Sequence, residues 1–454
     1  MNCISEACVF RTHSNIRNNG GSYCCARCKA TPGKHGPACE QSMLFDLSTN
    51  SYYAPFAIYD DTNYTGITIT KNNTGSGAVD RVKVFCGRNV VMVIDKDNIG
   101  TNLDISEGSV LVHPIIDMSQ NDTSDYHTAM GIIINSLDKL IDLYISTIGM
   151  TPVARPYRGI NTRVEIAFIN AGGLASHGVT GMACGPAFLM NFFKSCLKYV
   201  RGEIPQPYFE QIFTYELCRN FIFPEVFTPV FDYRCYAITD RGSSNPSLDL
   251  WQWGWVNQGF VNALGSLVVQ KMQPPMNYNY AGYDISGFWM MFERELDTYI
   301  AGVKDTSYNW VNTFMFHRLI WSATDSAPYG AKSLDNLYSG ILIRLWKNYG
   351  KNKFLLRFFK ALNYMSKSGP NTRSATYLSN RVNRSVYMDT LSTSDTLNKL
   401  NYQTASENFY IAASYGAGKN LQGKLAAFSN ITPFYTPLTP EAITYCKKLL
   451  KRKL

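Results

Sequence analysis

The sequence predicts an α+β chain of several domains, and three observations support this fold class. Its 454 residues exceed the usual size of one domain. Hydrophobic residues make up 45% of the chain and charged residues only 17%, which favours folded cores over disorder. Strand-like runs are concentrated in residues 50–118, whereas residues 125–435 alternate helical periodicity with a few strands. A cysteine-rich segment, residues 1–45, and a basic segment, residues 436–454, complete the predicted order of domains.

Residues 1–45 contain six of the twelve cysteines of the chain. A segment this short cannot bury enough apolar surface to fold alone, so it needs a cross-link. Cys25-x-x-Cys28 has the reach of a zinc knuckle, and His35 or Cys39 would close a tetrahedral structural site. The other candidate ligands are Cys3, Cys8, His13 and Cys24. Disulfides and unstructured thiols are the alternatives, and synthesis in the cytosol argues against disulfides.

The order of motifs in this segment is also distinctive. A Cys pair is followed by H-S-N-I-x-N-N-G-G, then by C-C-x-x-C-K and H-G-P-x-C-E. This pattern resembles a short Cys/His module found in proteins of large DNA viruses and some protists. The resemblance covers residues 3–40 and implies an origin more than an activity.

Two absences in the sequence bear on location. The first ten residues, MNCISEACVF, are poor in apolar side chains, so we expect no secretion signal. No apolar run reaches about 18 residues, so we expect no transmembrane helix. Together with the viral resemblance, these features predict a place in the host cytoplasm or in a virion.

Residues 50–118 are predicted to form a β domain from the runs YAPFAIYDD, GITIT, RVKVFC, NVVMVID and SVLVHPII. Tyr59, Tyr64 and Gly66 have the spacing Y-x-x-x-x-[FY]-x-G, and residues 91–106 contain a degenerate second copy. This spacing resembles the signature of βγ-crystallin Greek-key motifs. The resemblance implies a Greek-key sandwich and a calcium site of Asp and Asn oxygens, although ordinary turns explain the same residues equally well.

The stretch FTYELCRNFIFP, residues 213–224, differs at two positions from a zinc-binding helix. It follows Pro207 and ends at Pro224, so we expect a helix. In H-E-x-x-H, two histidines four residues apart share one helix face and bind zinc, and the glutamate serves as general base. Here Glu216 occupies the general-base position and Asn220 follows the second ligand position. Tyr215 and Arg219 occupy the two ligand positions.

The surrounding order of elements resembles that of gluzincin-type metallopeptidases. A strand RVEIAFI, a Gly-rich turn and an edge strand carrying His177 precede the stretch, and a series of helices follows it. The resemblance implies a zincin-like domain over residues 125–435 with a helical C-terminal lobe. His177 and Trp255 are the candidate cleft residues. Trp255 belongs to WQWGW, which would stack on a sugar or peptide or, as we favour, form a core cluster under the next helix.

The two departures at the ligand positions determine the predicted chemistry. A guanidinium cannot ligate zinc and is always charged, so Arg219 places a cation where the resemblance implies a metal. Arg219 is also spaced to pair with Glu216 on one helix face. Candidate third ligands are Glu225, Asp240 and Asp249, and nothing singles one out. We therefore expect the hydrolytic site to be lost.

Other motifs predict structural roles. Cys184, in GMACGPAF, is expected to be a buried cysteine at a strand-to-helix turn rather than a nucleophile. The sequence GAGKN, residues 416–420, lacks P-loop spacing, and its lysine is expected near a helix end. Residues 135–137 are expected to open a helix, and residues 119–125 to form a domain linker.

The last eight residues, KKLLKRKL, hold five cations and no acid. Thr439, Pro440 and Glu441 supply an N-cap, a first-turn proline and a first-turn acid, so we expect a helix. Such a segment can bind nucleic acid or anionic surfaces, but we favour a solvated amphipathic helix and expect no specific nucleic-acid partner.

The leading functional hypothesis is a non-catalytic, pseudo-metallopeptidase binding or structural protein with a cleft for a peptide or glycan. An active metal-dependent peptidase with atypical ligands is one alternative. A virion structural or assembly component that self-associates is the other. Structural zinc in residues 1–45 and calcium in the β domain are the expected cofactors.

Overall fold

A computed structural model describes the chain in segments, which together show a mixed α and β fold. It describes residues 56–61, 64, 82–95, 114–152, 155–157, 160–168, 175–177, 181–222, 252–272, 275–279, 284–304, 334–367, 407–426 and 438–454. These residues belong to two compact units. Unit 1 comprises the described residues within 56–146, 150–221 and 267–284, and unit 2 comprises those within 147–149, 222–266 and 285–454. The Cys/His segment, residues 1–45, lies outside the described residues, so its zinc site stays a prediction.

Unit 1 is built on a mixed sheet. Its strands are β1 (Ala57–Asp61), β2 (Val82–Cys86), β3 (Val90–Asp95), β4 (Arg155–Tyr157), β5 (Ile160–Phe168), β6 (Ala175–His177) and β7 (Gly181–Cys184). The described strands lie in the order β1-β2-β3-β5-β7-β6, and β4 pairs with β5. β1, β2 and β3 form an antiparallel meander. β3, β5 and β7 are parallel, and β6 runs antiparallel to β7.

The pairing of β3 with β5 joins two segments that the sequence treats as separate. Val93 on β3 lies opposite Ala167 on β5, and both are fully buried. The strands of residues 50–118 therefore share a sheet with strands of the following segment. Tyr59 and Tyr64 pack beside the core of this sheet, whereas Gly66 and residues 96–106 lie outside the described residues. The Greek-key arrangement and its calcium site stay predictions.

One predicted strand is partly helical. Residues 114–117, at the end of the run SVLVHPII, form a short helical turn. Pro114 starts this turn, and a first helical position is where a missing N–H costs least. The strand prediction was wrong for residues 114–116 because the apolar run alone does not distinguish a strand from a helical turn.

In the part of unit 1 that the structure describes, three longer helices and a small sheet accompany the mixed sheet. The helices are α1 (Asp125–Ile148), α2 (Pro186–Val200) and α3 (Gln211–Ile222). β8 (Tyr208–Glu210) lies directly before α3 and pairs in parallel with β9 (Asn277–Asn279). Rings of Phe168, Phe192, Phe209 and Phe213 cluster with centroids 5.2–6.2 Å apart. This aromatic cluster packs β5, α2, β8 and α3 together.

Helix α1 begins ten residues before its predicted start. Ser124 caps it, since its hydroxyl accepts from the backbone N–H of His127 at 3.4 Å. Asn135 and Ser136, the predicted start, lie inside the helix and are buried. Their side chains donate to the carbonyls of Gly131 and Ile132, one turn earlier, at 2.8 and 2.6 Å. The prediction was wrong because residues that favour caps can also satisfy themselves on the preceding turn of a helix.

The carboxylate of Asp138 fixes α1 to the turn between β2 and β3. It accepts from the backbone N–H groups of Arg88, Asn89 and Val90 at 2.8, 2.7 and 3.1 Å. One turn later, the buried Asp142 forms an ion pair with the partly exposed Arg88. Burial raises the pKa of Asp142 to about 6, even though Arg88 lowers it. These acids are enclosed between α1 and the turn, so their role is structural.

Unit 2 is helical in its described part. Its described helices are α4 (Gln252–Val269), α5 (Ile285–Lys304), α6 (Leu334–Asn348), α7 (Asn352–Lys367), α8 (407–417), α9 (Gln422–Ala426) and α10 (Pro440–Leu450). The last three residues of α4, 267–269, belong to unit 1. The ring of Phe260 on α4 contacts those of Tyr338, Phe358 and Phe409, at centroid distances of 5.8–6.4 Å. The runs LDNLYSGILIRLWKNYG and KFLLRFFKALNYM have the periodicity of amphipathic helices, and both are observed as helices, α6 and α7.

The predicted helix ends of unit 2 are also observed. Gly418 has φ +72° and follows α8, and Lys419 donates its backbone N–H to the carbonyl of Ser414. This geometry is a glycine C-cap, in agreement with the prediction that the lysine of GAGKN lies near a helix end. Thr439 caps α10 through a 3.2 Å bond from the N–H of Ala442 to its hydroxyl. No helix in the described part of the chain combines the length and apolar character needed to cross a membrane.

Candidate functional site

Helix α3 presents the zincin-like stretch with its motif glutamate facing the protein. Phe213, Glu216, Leu217, Asn220 and Phe221 are all buried. These positions follow the spacing i, i+3, i+4, i+7, i+8 of one helical face. The predicted helix is confirmed, and its general-base position lies on its buried side.

Two hydrogen bonds fix α3 within unit 1. The side-chain amide of Asn220 donates to the carbonyl of Gly181, the first residue of β7, at 3.0 Å. The hydroxyl of Tyr144, on α1, donates to the carbonyl of Thr214 at 2.7 Å. One end of α3 is thus held by the sheet and the other by α1.

Glu216 and Arg219 form an ion pair along the helix. Arg219 Nη1 lies 3.2 Å from Glu216 Oε2 and 3.4 Å from Oε1. The Glu216 side chain is 4% exposed and that of Arg219 is 13% exposed. Because both charges are largely removed from water, each contributes to neutralising the other.

Tyr215 holds the other side of the same guanidinium. Arg219 Nη2 donates to the hydroxyl of Tyr215, and the guanidinium carbon lies 4.2 Å from the centre of its ring. Tyr215 and Arg219 are the two residues at the ligand positions of the zincin reading. They are therefore bound to each other.

Burial governs the protonation of the groups around α3. It raises the pKa of Glu216, and the charge and hydrogen bonds of Arg219 partly offset this rise. Burial, with the negative charge of Glu216, also raises the pKa of the Cys184 thiol well above its ordinary value. Cys184 is fully buried and ends β7 directly before α2, as predicted. A thiol held this firmly protonated is a poor nucleophile.

The side chains on α3 do not fit a zinc ion. A zinc helix offers two neutral imidazole nitrogens, whereas this helix offers a guanidinium with no lone pair and a phenol already bound to it. Across the described residues, no group of three or more His, Cys, Asp or Glu is arranged to hold a metal ion. The proposed third ligands Glu225, Asp240 and Asp249 lie outside those residues.

The two predicted cleft residues lie on different elements. His177 ends β6, the last strand in the described order of the sheet, so it has the edge-strand position that the zincin reading expects. β7, α2 and β8 intervene in the chain before α3, which is more than the reading expects. Trp255 lies in the first turn of α4, in unit 2. The run WQWGW was expected to precede a helix, but its last four residues are the start of that helix.

The sequence did not reveal the close approach of β7 to β5, which places the Gly181 carbonyl where Asn220 of α3 binds it. A Cβ added at Gly181 would lie 2.1 Å from the backbone oxygen of Glu165 on β5. Gly181 therefore allows β7 to pair closely with β5 while its own carbonyl accepts from Asn220. A glycine at the start of a strand was the available signal, since such a glycine often marks a close backbone approach.

Comparisons of the chain with models of known protein families, with curated proteins and with solved structures found no match. The resemblances to a viral Cys/His module, to βγ-crystallins and to gluzincins therefore rest on the motifs alone.

Proposed function

We propose that the chain is a non-catalytic binding or structural protein in which an ion pair takes the place of a catalytic metal. The observation that supports this is the buried pair of Glu216 and Arg219, 3.2 Å apart on α3. In this proposal α3 is a former zinc helix in which the ion pair of Glu216 and Arg219 now stabilises the protein interior.

The chemistry of hydrolysis requires features that this pair opposes. A general-base glutamate must accept a proton from a water molecule, so its carboxylate must be accessible. Glu216 is 3% exposed, and both of its oxygens contact Arg219. A fixed guanidinium at this place would also repel a divalent cation. These two effects act in the same direction, against an active metallopeptidase.

Binding and assembly are the remaining roles of the proposal. A cleft beside the edge strand, with His177 on it, would take an extended peptide or a glycan. Self-association within a virion would fit the basic segment at residues 436–454 and the resemblance of residues 3–40. These two roles rest on sequence resemblance, and we keep them as hypotheses within the proposal.

A peptidase assay tests the proposal directly. The full chain is incubated with casein and zinc and compared with the Glu216→Gln variant. We expect both proteins to release peptides at the same background rate, because neither has a base and a metal in reach of a substrate. Cleavage by the natural chain that a chelator stops and that Glu216→Gln abolishes would refute the proposal in favour of an active peptidase.

A further inference from the structure

Unit 2 carries a surface on which cations are held by tyrosine rings. We call it the basic tyrosine surface; at its centre Arg357 and Tyr364 on α7 and Arg452 after α10 surround Tyr415 on α8, which is itself buried. The guanidinium of Arg357 lies 5.2 Å from the centre of the Tyr415 ring. That of Arg452 lies 6.0 Å from the centre of the Tyr364 ring. Four residues from three parts of the chain thus form one contiguous patch.

The last residues of the chain are docked onto this patch. The hydroxyl of Tyr415 donates to the carbonyl of Arg452 at 3.3 Å and accepts from the N–H of Leu454 at 2.9 Å. Arg452 Nη1 donates to the hydroxyl of Tyr364. The basic segment that follows α10 is therefore held in place rather than extended into solvent.

The segments that form this surface are almost free of acids. Residues 349–367 contain five cations and no acid, residues 407–426 two cations and one acid, and residues 438–454 five cations and one acid. The acid in the second segment, Glu407, is fully buried and accepts from the N–H of Thr439. The charge that this surface presents to solvent is therefore strongly positive.

The exposed cations are spaced along two helix faces. Lys353, Arg357 and Lys360 lie four and three residues apart on α7, in line with Tyr364; Lys353 and Lys360 are exposed and Arg357 is half-buried. On α10 the apolar residues Ala442, Cys446 and Leu449 are buried. The exposed positions there and in the following turn include Lys447, Lys448, Lys451 and Lys453.

A second group of cations in unit 2 forms ion pairs with carboxylates. Arg344 lies 2.7 Å from Asp297, and Lys347 lies 2.6 Å from Glu293. Among the described residues, no carboxylate forms a salt bridge with Arg357 or Arg452. The fold therefore neutralises the cations between α5 and α6 and leaves those of the basic tyrosine surface available to a partner.

Two observations indicate which kind of anionic partner the basic tyrosine surface binds. A membrane surface is bound by helices that insert apolar side chains, but the apolar face of α10 is buried in the protein. Bases of single strands stack on open aromatic faces, but Arg452 and Arg357 already lie over Tyr364 and Tyr415. Contacts with a hydrated row of phosphates remain, and these require fixed, unneutralised cations.

We propose that the basic tyrosine surface binds the phosphodiester backbone of nucleic acid without sequence preference. Such contacts position a protein on a nucleic acid but carry no sequence information. The proposal is independent of the proposed loss of peptidase chemistry, because no residue of α3 takes part in it.

Fluorescence anisotropy with a labelled mixed-sequence DNA duplex, titrated with the full chain at several salt concentrations, tests this surface. We expect binding whose affinity falls steeply with salt and does not change when the base sequence is scrambled. The variant Lys448→Gln with Lys451→Gln should bind about 10- to 100-fold more weakly near 0.1 M salt. Its slope of log affinity against log salt should be shallower by about 2.

The matched control removes two cations from the same unit outside the surface, Arg344→Gln with Lys347→Gln. It carries the same change in charge, and we expect it to bind within about twofold of the natural chain if contacts, and not net charge alone, govern affinity. Thermal melting confirms that both variants are folded. Equal weakening by the two variants would overturn the proposal, and so would absence of binding by the natural chain. Stronger binding to phosphatidylserine vesicles than to DNA at equal salt would assign the surface to a membrane instead.

Discussion

Arg219 contacts two side chains that lie one helical turn before it, Tyr215 and Glu216. On an exposed helix, an ion pair at this spacing stabilises by only about 0.2–0.5 kcal/mol. Here both side chains are mostly buried, so loss of one partner removes a neutralising charge from a site with little access to water. The importance of the pair thus comes from its burial rather than from its spacing.

Replacing Arg219 tests this pair. We expect Arg219→Met to lower the free energy of unfolding by roughly 1–3 kcal/mol, because Glu216 would be left buried and charged. In a Glu216→Gln background the same replacement should cost much less, since no buried charge remains. Urea denaturation of the four proteins of this cycle gives the coupling energy.

An exposed ion pair of unit 1 provides the control. Arg201 pairs with Asp125 at 3.4 Å, but the two side chains are 43% and 54% exposed. Arg201→Met should therefore change the stability by less than about 1 kcal/mol. If Arg219→Met and Arg201→Met had equally small effects, or if the Arg219 and Glu216 effects were simply additive, the buried pair would not stabilise α3.

Asp138 shows where residue-level prediction fails. Its role depends on three backbone N–H groups about 50 residues earlier in the chain. A charged residue inside a predicted amphipathic helix normally lies on the exposed face, so no local pattern predicts that Asp138 is buried. By contrast, the Arg219–Glu216 pair was predictable because both partners lie on one helix, three residues apart.

At the scale of the elements, strong periodicity was a sound guide. The runs RVKVFC, NVVMVID and RVEIAFI appear as strands β2, β3 and β5, and the zincin-like stretch appears as α3. Helix boundaries were predicted less accurately where a residue type both favours helix caps and occurs inside helices. Asn135 and Ser136 favour helix caps, but in α1 they bond the preceding turn, and the cap is Ser124.

The approach of β7 to β5 yields a prediction for the sheet. Gly181→Ala should destabilise the protein by roughly 1–3 kcal/mol or more, because its Cβ would lie 2.1 Å from the backbone oxygen of Glu165. The strands would have to separate, which would also disturb the bond from Asn220 to the Gly181 carbonyl. Thermal or urea denaturation measures the loss.

Gly185 is the matched control for this substitution. It lies one residue after β7, and a Cβ there would meet no atom within 4 Å. Gly185→Ala should change stability by less than about 1 kcal/mol, the difference expected at the N-cap of α2. Similar losses for the two alanine variants would mean that the close approach of β5 and β7 does not constrain the sheet.

At the scale of the whole molecule, the sequence separated segments that the fold combines. The apolar runs of residues 50–118 predicted strands, but the parallel pairing of β3 with β5 joins residues separated by α1. Pairing between distant strands is set by long-range packing, which leaves little trace in a local pattern. The basic tyrosine surface is similar, since its tyrosines and cations come from helices α7, α8 and the turn after α10.

The candidate site shows the same division between local and distant information. The sequence placed Tyr215, Glu216, Arg219 and Asn220 on one helix and predicted that Arg219 opposes a metal. It did not predict that Asn220 binds β7 or that Tyr144 of α1 holds the Thr214 carbonyl, because both contacts depend on the tertiary fold. Cys184 was assigned correctly as buried from its place between a strand and a helix.

The central claim is that Arg219 occupies the position at which a zinc helix would bind its metal. Elemental mass spectrometry of the full chain and of a variant lacking residues 1–45, both expressed with added zinc, tests it most directly. A circular dichroism spectrum with helical content establishes that the shortened variant is folded. We expect any zinc of the full chain to be lost with residues 1–45, leaving the shortened protein without metal. About one zinc per shortened chain would contradict the claim, because a metal site outside the cysteine-rich segment would then exist.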